Sequence, residues 1–368
     1  MRDKVLFILH IPPPIHGAAM VGKYIQESRI INSSFDVCYI NLSTSESLNE
    51  IGKGGFGKIL TFLRIQLKVI QALRNKEYEL YYMTLTTKGP GFYKDFLVVI
   101  LLKLFGKRII YHFHNKGVSL RNSKRLNHIL YTLVFKNSKI ILLSEFLYSD
   151  IEKYVAKTDV YFCANGIPLN DNAVNVPGKS NHGKPLRLLF LSNMMEAKGV
   201  LVLLEACRIL NEKGIIFECH FVGDWSDVSA KSFDNVVATK NLKKLIFAHG
   251  KKFNFDKYNF LLNSDIFIHP ILNDCFPLVL LEAMQFGLPI ISTPEGGIPD
   301  VVVDGETGFL VPQKDAIALA EKIELLINHP ELRKRMGDAG KRRYEEFFTL
   351  EKFENNLCEI LNQAIESE

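Results

Sequence analysis

Two carboxylates, Asp274 and Glu282, bracket an apolar run that begins at Pro277. A proline at the opening of a helix gives up an N–H that would be unpaired in any case. The next amides, on Leu278 and Val279, then sit at a helix N-terminus, where unpaired donors and the helix dipole favour an anion. Glu282 comes one turn later and can reach a hydroxyl of the same ligand. A phosphate on amides beside a sugar on a carboxylate is the chemistry of a nucleotide-sugar site. Gly296 and Gly297 follow a strand-like run at 288–292 and permit a backbone turn that side chains would obstruct. A plain N-cap is the structural alternative for Asp274.

Those residues need a scaffold, and the chain alternates strands and helices twice over. Residues 5–10 read as a buried strand ended by Pro12–Pro14, then by the small residues Gly17, Ala18 and Ala19 and a helix over about 18–28. Strand, small-residue turn and helix open a doubly wound α/β unit. Further strands are expected at 37–41, 80–83, 108–112, 139–143 and 162–164. Residues 170–185 are rich in Asn, Gly, Pro, Ser and Lys without an apolar period, which suits a linker. The pattern restarts with strands at 187–191, 218–222, 245–249, 266–270 and 289–292 and helices at 200–212, 256–262 and from 278. Residues 315–367 read as helical. The expectation is an α/β chain of two Rossmann-like domains facing a central cleft. The domains would be 1–172 and 173–346, with the last helix, about 347–368, returning to the first. Ligands in such sheets lie beyond strand C-terminal ends.

Composition narrows the class. The chain of 368 residues is long enough for two cores. Its six cysteines show no metal-ligand spacing and read as reduced thiols in a cytoplasmic protein. No signal peptide is expected, and the longest apolar run, 96–102, falls far short of the roughly 20 residues that span a bilayer. Residues 1–178 carry 23 Lys+Arg against 13 Asp+Glu, and the rest carry 22 against 27. From Phe96 to Ser144 there is no acidic residue, and nine basic ones lie there. A solvated basic face is one reading; attraction to an anionic membrane surface is the other. No nucleic-acid-binding motif accompanies the charge.

From 187 to 312 above all, the chain resembles the retaining glycosyltransferases of family 4, which have the GT-B fold. The Asp274–Glu282 pair stands where that family has two glutamates with seven residues between them. The sequence from Gly296 to Val311 resembles the family's tail, and LSNMMEAKG at 191–199 its strand-end motif. The resemblance implies that Glu282 binds the donor ribose and that Asp274 contacts the donor sugar near the reacting carbon. It implies that Lys198 meets the diphosphate, with Asn193 in place of the family's Arg; Lys251 or Lys252 is a candidate substitute cation. Gly223, in FVGD, would line the base pocket, and Phe276, Leu278 and Val279 would complete the donor set. In the N-terminal half Gly17 matches a glycine loop that approaches the β-phosphate. His114, in YHFHN, would meet the donor sugar near the reacting bond, with His112 and His16 on the acceptor side.

The implied reaction moves a hexose-type group from a UDP- or GDP-sugar to a glycan or lipid-linked acceptor with retention, in bacterial surface polysaccharide biosynthesis. No cofactor or metal is expected beyond the donor. A peripheral position at the inner membrane face is expected through 96–144. A nucleotide-sugar epimerase and a non-catalytic sugar-nucleotide-binding protein remain the alternatives.

Overall fold

The computed structural model describes residues 2–44, 56–75, 77–174 and 185–367. The central part of the expected linker, 175–184, lies outside them. The chain divides into two compact units, one of residues 1–166 with 350–368 and one of residues 167–349. These boundaries lie six and three residues from 172 and 346, where the composition of the chain leads one to expect them. The second unit starts earlier because Ile167 N–H donates to Phe348 O and Tyr344 Oη donates to Ile167 O, both within it.

The first unit is built on a sheet of six parallel strands in the order β2-β1-β3-β4-β5-β6. They are β1 (Lys4–Leu9), β2 (Asp36–Asn41), β3 (Leu80–Thr84), β4 (Ile109–Phe113), β5 (Lys139–Leu142) and β6 (Val160–Phe162). Val5 to Leu9 are all fully buried, and so are Tyr81, Tyr82 and Met83. Continuous apolar runs, rather than alternation, mark strands covered on both faces. β6 lies two residues before the expected strand at 162–164. Cys163 N–H still donates to Leu142 O, but the chain leaves the sheet there.

The connections β2→β3, β3→β4 and β4→β5 all advance the same way across the sheet. Right-handed crossovers therefore place their helices, Phe56–Asn75, Gly89–Leu104 and Arg125–Phe135, on one face. The step from β1 to β2 runs the opposite way and puts helix Gly17–Glu27 on the other face. The last helix, Leu350–Glu366, belongs to this unit. It buries Phe353, Leu357 and Leu361, and Arg108 donates to the carbonyls of Ala364 and Ile365.

The second unit has the same logic, with order β12-β11-β10-β7-β8-β9, all parallel. Its strands are β7 (Leu186–Leu191), β8 (Phe217–Val222), β9 (Ile246–Ala248), β10 (Ile266–His269), β11 (Ile290–Ser292) and β12 (Gly308–Leu310). Its core joins Phe190, Phe221 and Ile268 to the buried stripes of helices Val200–Glu212 and Ala316–Asn328. The expected helical stretch at 315–367 is three helices, because Pro330 opens a new one after His329 and Phe348–Thr349 intervene before Leu350. Helix Ala230–Thr239, with only Phe233 and Val237 buried, was not foreseen.

Candidate active site

In each sheet the strand order reverses at one point, and the residues singled out from the sequence gather there. In the second sheet the reversal lies between β7 and β10. Such switch points leave a crevice beyond the strand C-termini. The turn after β7 carries Lys198 and the turn after β10 carries Asp274; their side chains form an ion pair across the crevice. Both are about one-fifth exposed, so the pair is sheltered yet open to a ligand. Asp274 Oδ1 also accepts from its neighbours, Cys275 N at 2.7 Å and Phe276 N at 3.3 Å. Its own N–H donates to Glu295 Oε1 at 3.2 Å. Asp274 is thus both a turn-closing carboxylate and a partner of Lys198.

Glycines let these loops come together. Gly199 has φ +81° and a Cβ there would lie 1.9 Å from Pro270 O. Gly296 has φ +55° and a Cβ there would lie 2.5 Å from Asp274 O. A Cβ on Gly223 would meet Ser192 O at 1.8 Å, so that glycine is required by the packing of the β7 and β8 strand ends themselves.

Helix Leu278–Gln285 begins here, with Pro277 as its N-cap rather than its first helical residue. Leu280 N–H already donates to Pro277 O, while Leu278 and Val279 hold the first two helical amides, which have no partner inside a helix. Glu282 points back from the next turn. Its Oε1 accepts from Lys257 Nζ at 2.8 Å, and its Oε2 is buried with no hydrogen-bond partner. A buried carboxylate oxygen without a donor is costly, and a ligand hydroxyl would relieve that cost. Phe276, expected in the donor set, has its ring buried 6.0 Å from that of Phe348 and its N–H on Asp274 Oδ1. Lys251 lies 3.6 Å from Asp224, and that carboxylate rather than the Lys198 loop is its partner. Asn193 is half-buried, with its carbonyl closing a turn to Met195 N.

In the first sheet the reversal lies between β1 and β3, and it is crossed by His10, whose N–H and Nδ1 both lie 3.1 Å from Thr84 Oγ1. His16 caps helix Gly17–Glu27 by accepting from Ala19 N through Nδ1 at 3.3 Å. Gly17 is exposed, with no protein atom within 4 Å of an added Cβ. His114 follows β4, its ring 4.2 Å from that of His112, and both its ring nitrogens are buried without partners. Burial holds the His114 imidazole down to about 3, with His10 and His16 adding to the effect, and brings His10 down to about 4. These rings are therefore neutral near pH 7. His112, expected on the acceptor side, is wholly buried, with Nδ1 2.5 Å from Tyr82 Oη, its ring stacked towards Phe353 and its Nε2 without a hydrogen-bond partner.

Four neighbours of these sites escaped the sequence reading: His10, Gly22, Lys257 and His269. His10 was readable as the polar end of a buried strand. Gly22, one turn beyond Gly17, takes a helix so close to β1 that a Cβ would meet His10 O at 2.1 Å. Lys257 and His269 gave no local signal. The His269 imidazole, held to about 3 by burial and Lys198, lies fully buried at the end of β10. Among the described residues no group of three or more His, Cys, Asp or Glu side chains is arranged to hold a metal.

Residues 175–343 match the family described as glycosyl transferases group 1. The chain resembles that family. It is 35% identical over 143 residues to the amylovoran biosynthesis glycosyltransferase AmsK of Erwinia amylovora, covering 37% of this chain and 35% of AmsK. It is 32% identical over 161 residues to the capsular polysaccharide biosynthesis glycosyltransferase CapM of Staphylococcus aureus, covering 44% and 41%. The match thus spans little more than a third of these relatives' length. Among solved structures, Anabaena Alr3699/HepE in complex with UDP aligns over 98% of this chain and all of its own, with a TM-score of 0.75 at 16% identity. The fold of the chain is GT-B, with two Rossmann-like α/β units. The group 1 match covers the unit that holds Lys198, Asp274 and Glu282.

Proposed function

We propose that the chain is a retaining glycosyltransferase of bacterial surface polysaccharide biosynthesis, using a UDP- or GDP-sugar donor. The observation that carries this is the second unit's switch point. A lysine, two helix-start amides and a carboxylate with one unpartnered buried oxygen converge there. The first three match a diphosphate and the fourth a ribose hydroxyl. AmsK and CapM, named for polysaccharide biosynthesis, support the setting, and the UDP bound to HepE supports the donor class.

In the proposed step the acceptor oxygen bonds to the anomeric carbon on the face from which the diphosphate leaves. The bond from that carbon to the phosphate oxygen breaks, and the acceptor proton passes to the departing diphosphate. Lys198 and the amides of Leu278 and Val279 stabilise the charge that develops on it, without rearranging as it forms. Lys198 must first exchange Asp274 for phosphate oxygens, which frees the Asp274 carboxylate for the donor sugar. In the first unit His114, Gly17 and His16 are the candidate contacts for a sugar substrate. His114, neutral at pH 7, both donates and accepts a hydrogen bond to sugar hydroxyls. No metal is assigned a part. The acceptor is a glycan or lipid-linked intermediate, and the acid-free segment 96–144 supports a position at the inner face of a membrane.

Calorimetric titration of UDP- and GDP-sugars, with mass-spectrometric detection of released UDP or GDP, tests the reading. One donor class is expected to bind, with turnover lost in Glu282→Ala. No binding at millimolar donor, or interconversion of the sugar without an acceptor, overturns it.

A further inference from the structure

Among the described residues, the crossover helices on one face of the first sheet carry exposed apolar side chains on their outer surface. Helix Gly89–Leu104 packs between Phe56–Asn75 and Arg125–Phe135. Each turns its buried residues to the sheet and leaves an apolar stripe outside. On Phe56–Asn75 the stripe is Leu60, Leu63 and Leu67, spaced three and four apart, with Leu67 65% exposed. On Arg125–Phe135 the same spacing puts Leu126, Ile129 and Leu133 outside, with Leu126 60% exposed. Tyr93 and Leu97 continue the surface on the middle helix. Helical spacing normally turns such a stripe inward; here a second stripe on each helix faces out.

The charge on these helices is equally one-sided. Phe56–Asn75 and Arg125–Phe135 contain no Asp or Glu, and the one acid of Gly89–Leu104, Asp95, is fully buried. Arg64, Lys68 and Arg74 flank the first stripe, and Arg121, Lys124 and Arg125 begin the third, all exposed. Contiguous exposed apolar surface marks an interaction site. Apolar stripes within an acid-free basic field fit an interface that is anionic at its surface and hydrocarbon beneath, as amphipathic helices do when they lie in a bilayer plane.

We infer that the layer formed by these three helices is a docking face for an anionic lipid leaflet, with the leucine stripes entering the headgroup region. This deepens the proposed membrane-linked reading and rests on it. It also moves the surface: helix Phe56–Asn75, outside the acid-free segment read from the sequence, supplies the most exposed of the apolar residues on the two outer helices, Leu67. The basic groups draw the protein to the leaflet, and the leucines hold it there when salt screens the charge.

Sedimentation of the full chain with phosphatidylcholine vesicles, with and without phosphatidylglycerol, tests this. Binding is expected only with phosphatidylglycerol. Arg64→Glu with Arg125→Glu should lower partition by at least tenfold, from roughly fivefold per basic side chain at the surface. Leu67→Asp with Ile129→Asp should abolish the fraction retained in high salt while leaving the thermal unfolding midpoint in place, since both residues are exposed. Equal binding to neutral vesicles, no vesicle binding, or a lipid-free dimer that Leu67→Asp dissolves would each overturn the inference. Donor calorimetry on the same samples separates the two readings. Donor binding without vesicle binding removes the docking face alone; vesicle binding without donor binding removes the transferase reading and leaves the face.

Discussion

The two switch points are built on the same plan and filled with opposite chemistry. At β7/β10 the crevice holds ion pairs, Lys198 with Asp274 and, one helix turn on, Lys257 with Glu282. At β1/β3 it holds neutral imidazoles, His10 and His114, in a setting that penalises their charged forms. Sheet topology supplies the crevice in both; the side chains at the strand ends decide what it binds. A charged crevice with exchangeable pairs suits a diphosphate, which brings its own charge. A crevice of neutral donors and acceptors suits sugar hydroxyls.

Acid should break the comparison most strongly. His10, His112 and His114 have folded-state values below the ordinary 6.5 because burial disfavours the imidazolium. Above about pH 6.5 they are neutral folded or unfolded and cost nothing. Below it the unfolded chain takes up protons that the folded one refuses, so stability falls with pH by about 1.4 kcal/mol per unit for each histidine. The loss ends for His10 near pH 4 and for His114 near pH 3. In the second unit His269 is, among the described residues, the one fully buried histidine, while His220 and His249, also lowered by burial, are only partly buried. Hydrogen exchange across pH 7 to 4 should show the first unit losing protection before the second, and His114→Asn should flatten its slope. Simultaneous loss in both units would count against the contrast.

Lys198→Ala should lower kcat by about 10²- to 10³-fold, the usual effect of deleting one group that stabilises a developing anion. The unfolding midpoint should barely move, because the pair is partly exposed. A change confined to KM would mean that Lys198 binds the donor without assisting departure.

Gly22→Ala should destabilise the first unit by about 1–3 kcal/mol in urea titrations, since its Cβ cannot fit against His10 O. Gly17→Ala, five residues earlier with open space around it, should leave stability unchanged and weaken donor binding. Equal midpoints for the two variants would refute the packing argument.

The smallest expected effect is a gain. Asn193→Arg would add a second cation to the proposed donor crevice and should lower the donor KM roughly threefold to tenfold, in line with about 0.7–1.4 kcal/mol for one solvent-accessible hydrogen bond. An unchanged KM would show that the helix-start amides already supply what the arginine would add.

Most of the architecture was legible because buried parallel strands are written as uninterrupted apolar runs, and 5–10, 80–83 and 187–191 each read that way. β6 was misplaced by two residues because a three-residue strand followed by Cys163 and Ala164 has no internal boundary signal. Helix Ala230–Thr239 went unread because two buried residues in ten make no clear stripe. At the crevices, Lys198, Asp274 and Glu282 were readable from local spacing. Their partners were not: Lys257 lies 25 residues from Glu282 in sequence and Glu295 lies 21 from Asp274. Only the folded sheet brings such groups together. Strand alternation already favours His114 over His112; what no local spacing announces is the contact of His112 with Phe353, far along the chain.

The helix Leu350–Glu366 completes the first unit, yet it is encoded after the whole of the second. During synthesis the first sheet emerges early with the places of Phe353, Leu357 and Leu361 vacant. The second unit, continuous in the chain, has every residue it needs before that helix is made. Domains form as units when their residues are present, so the part of the molecule that begins first is the part that finishes last.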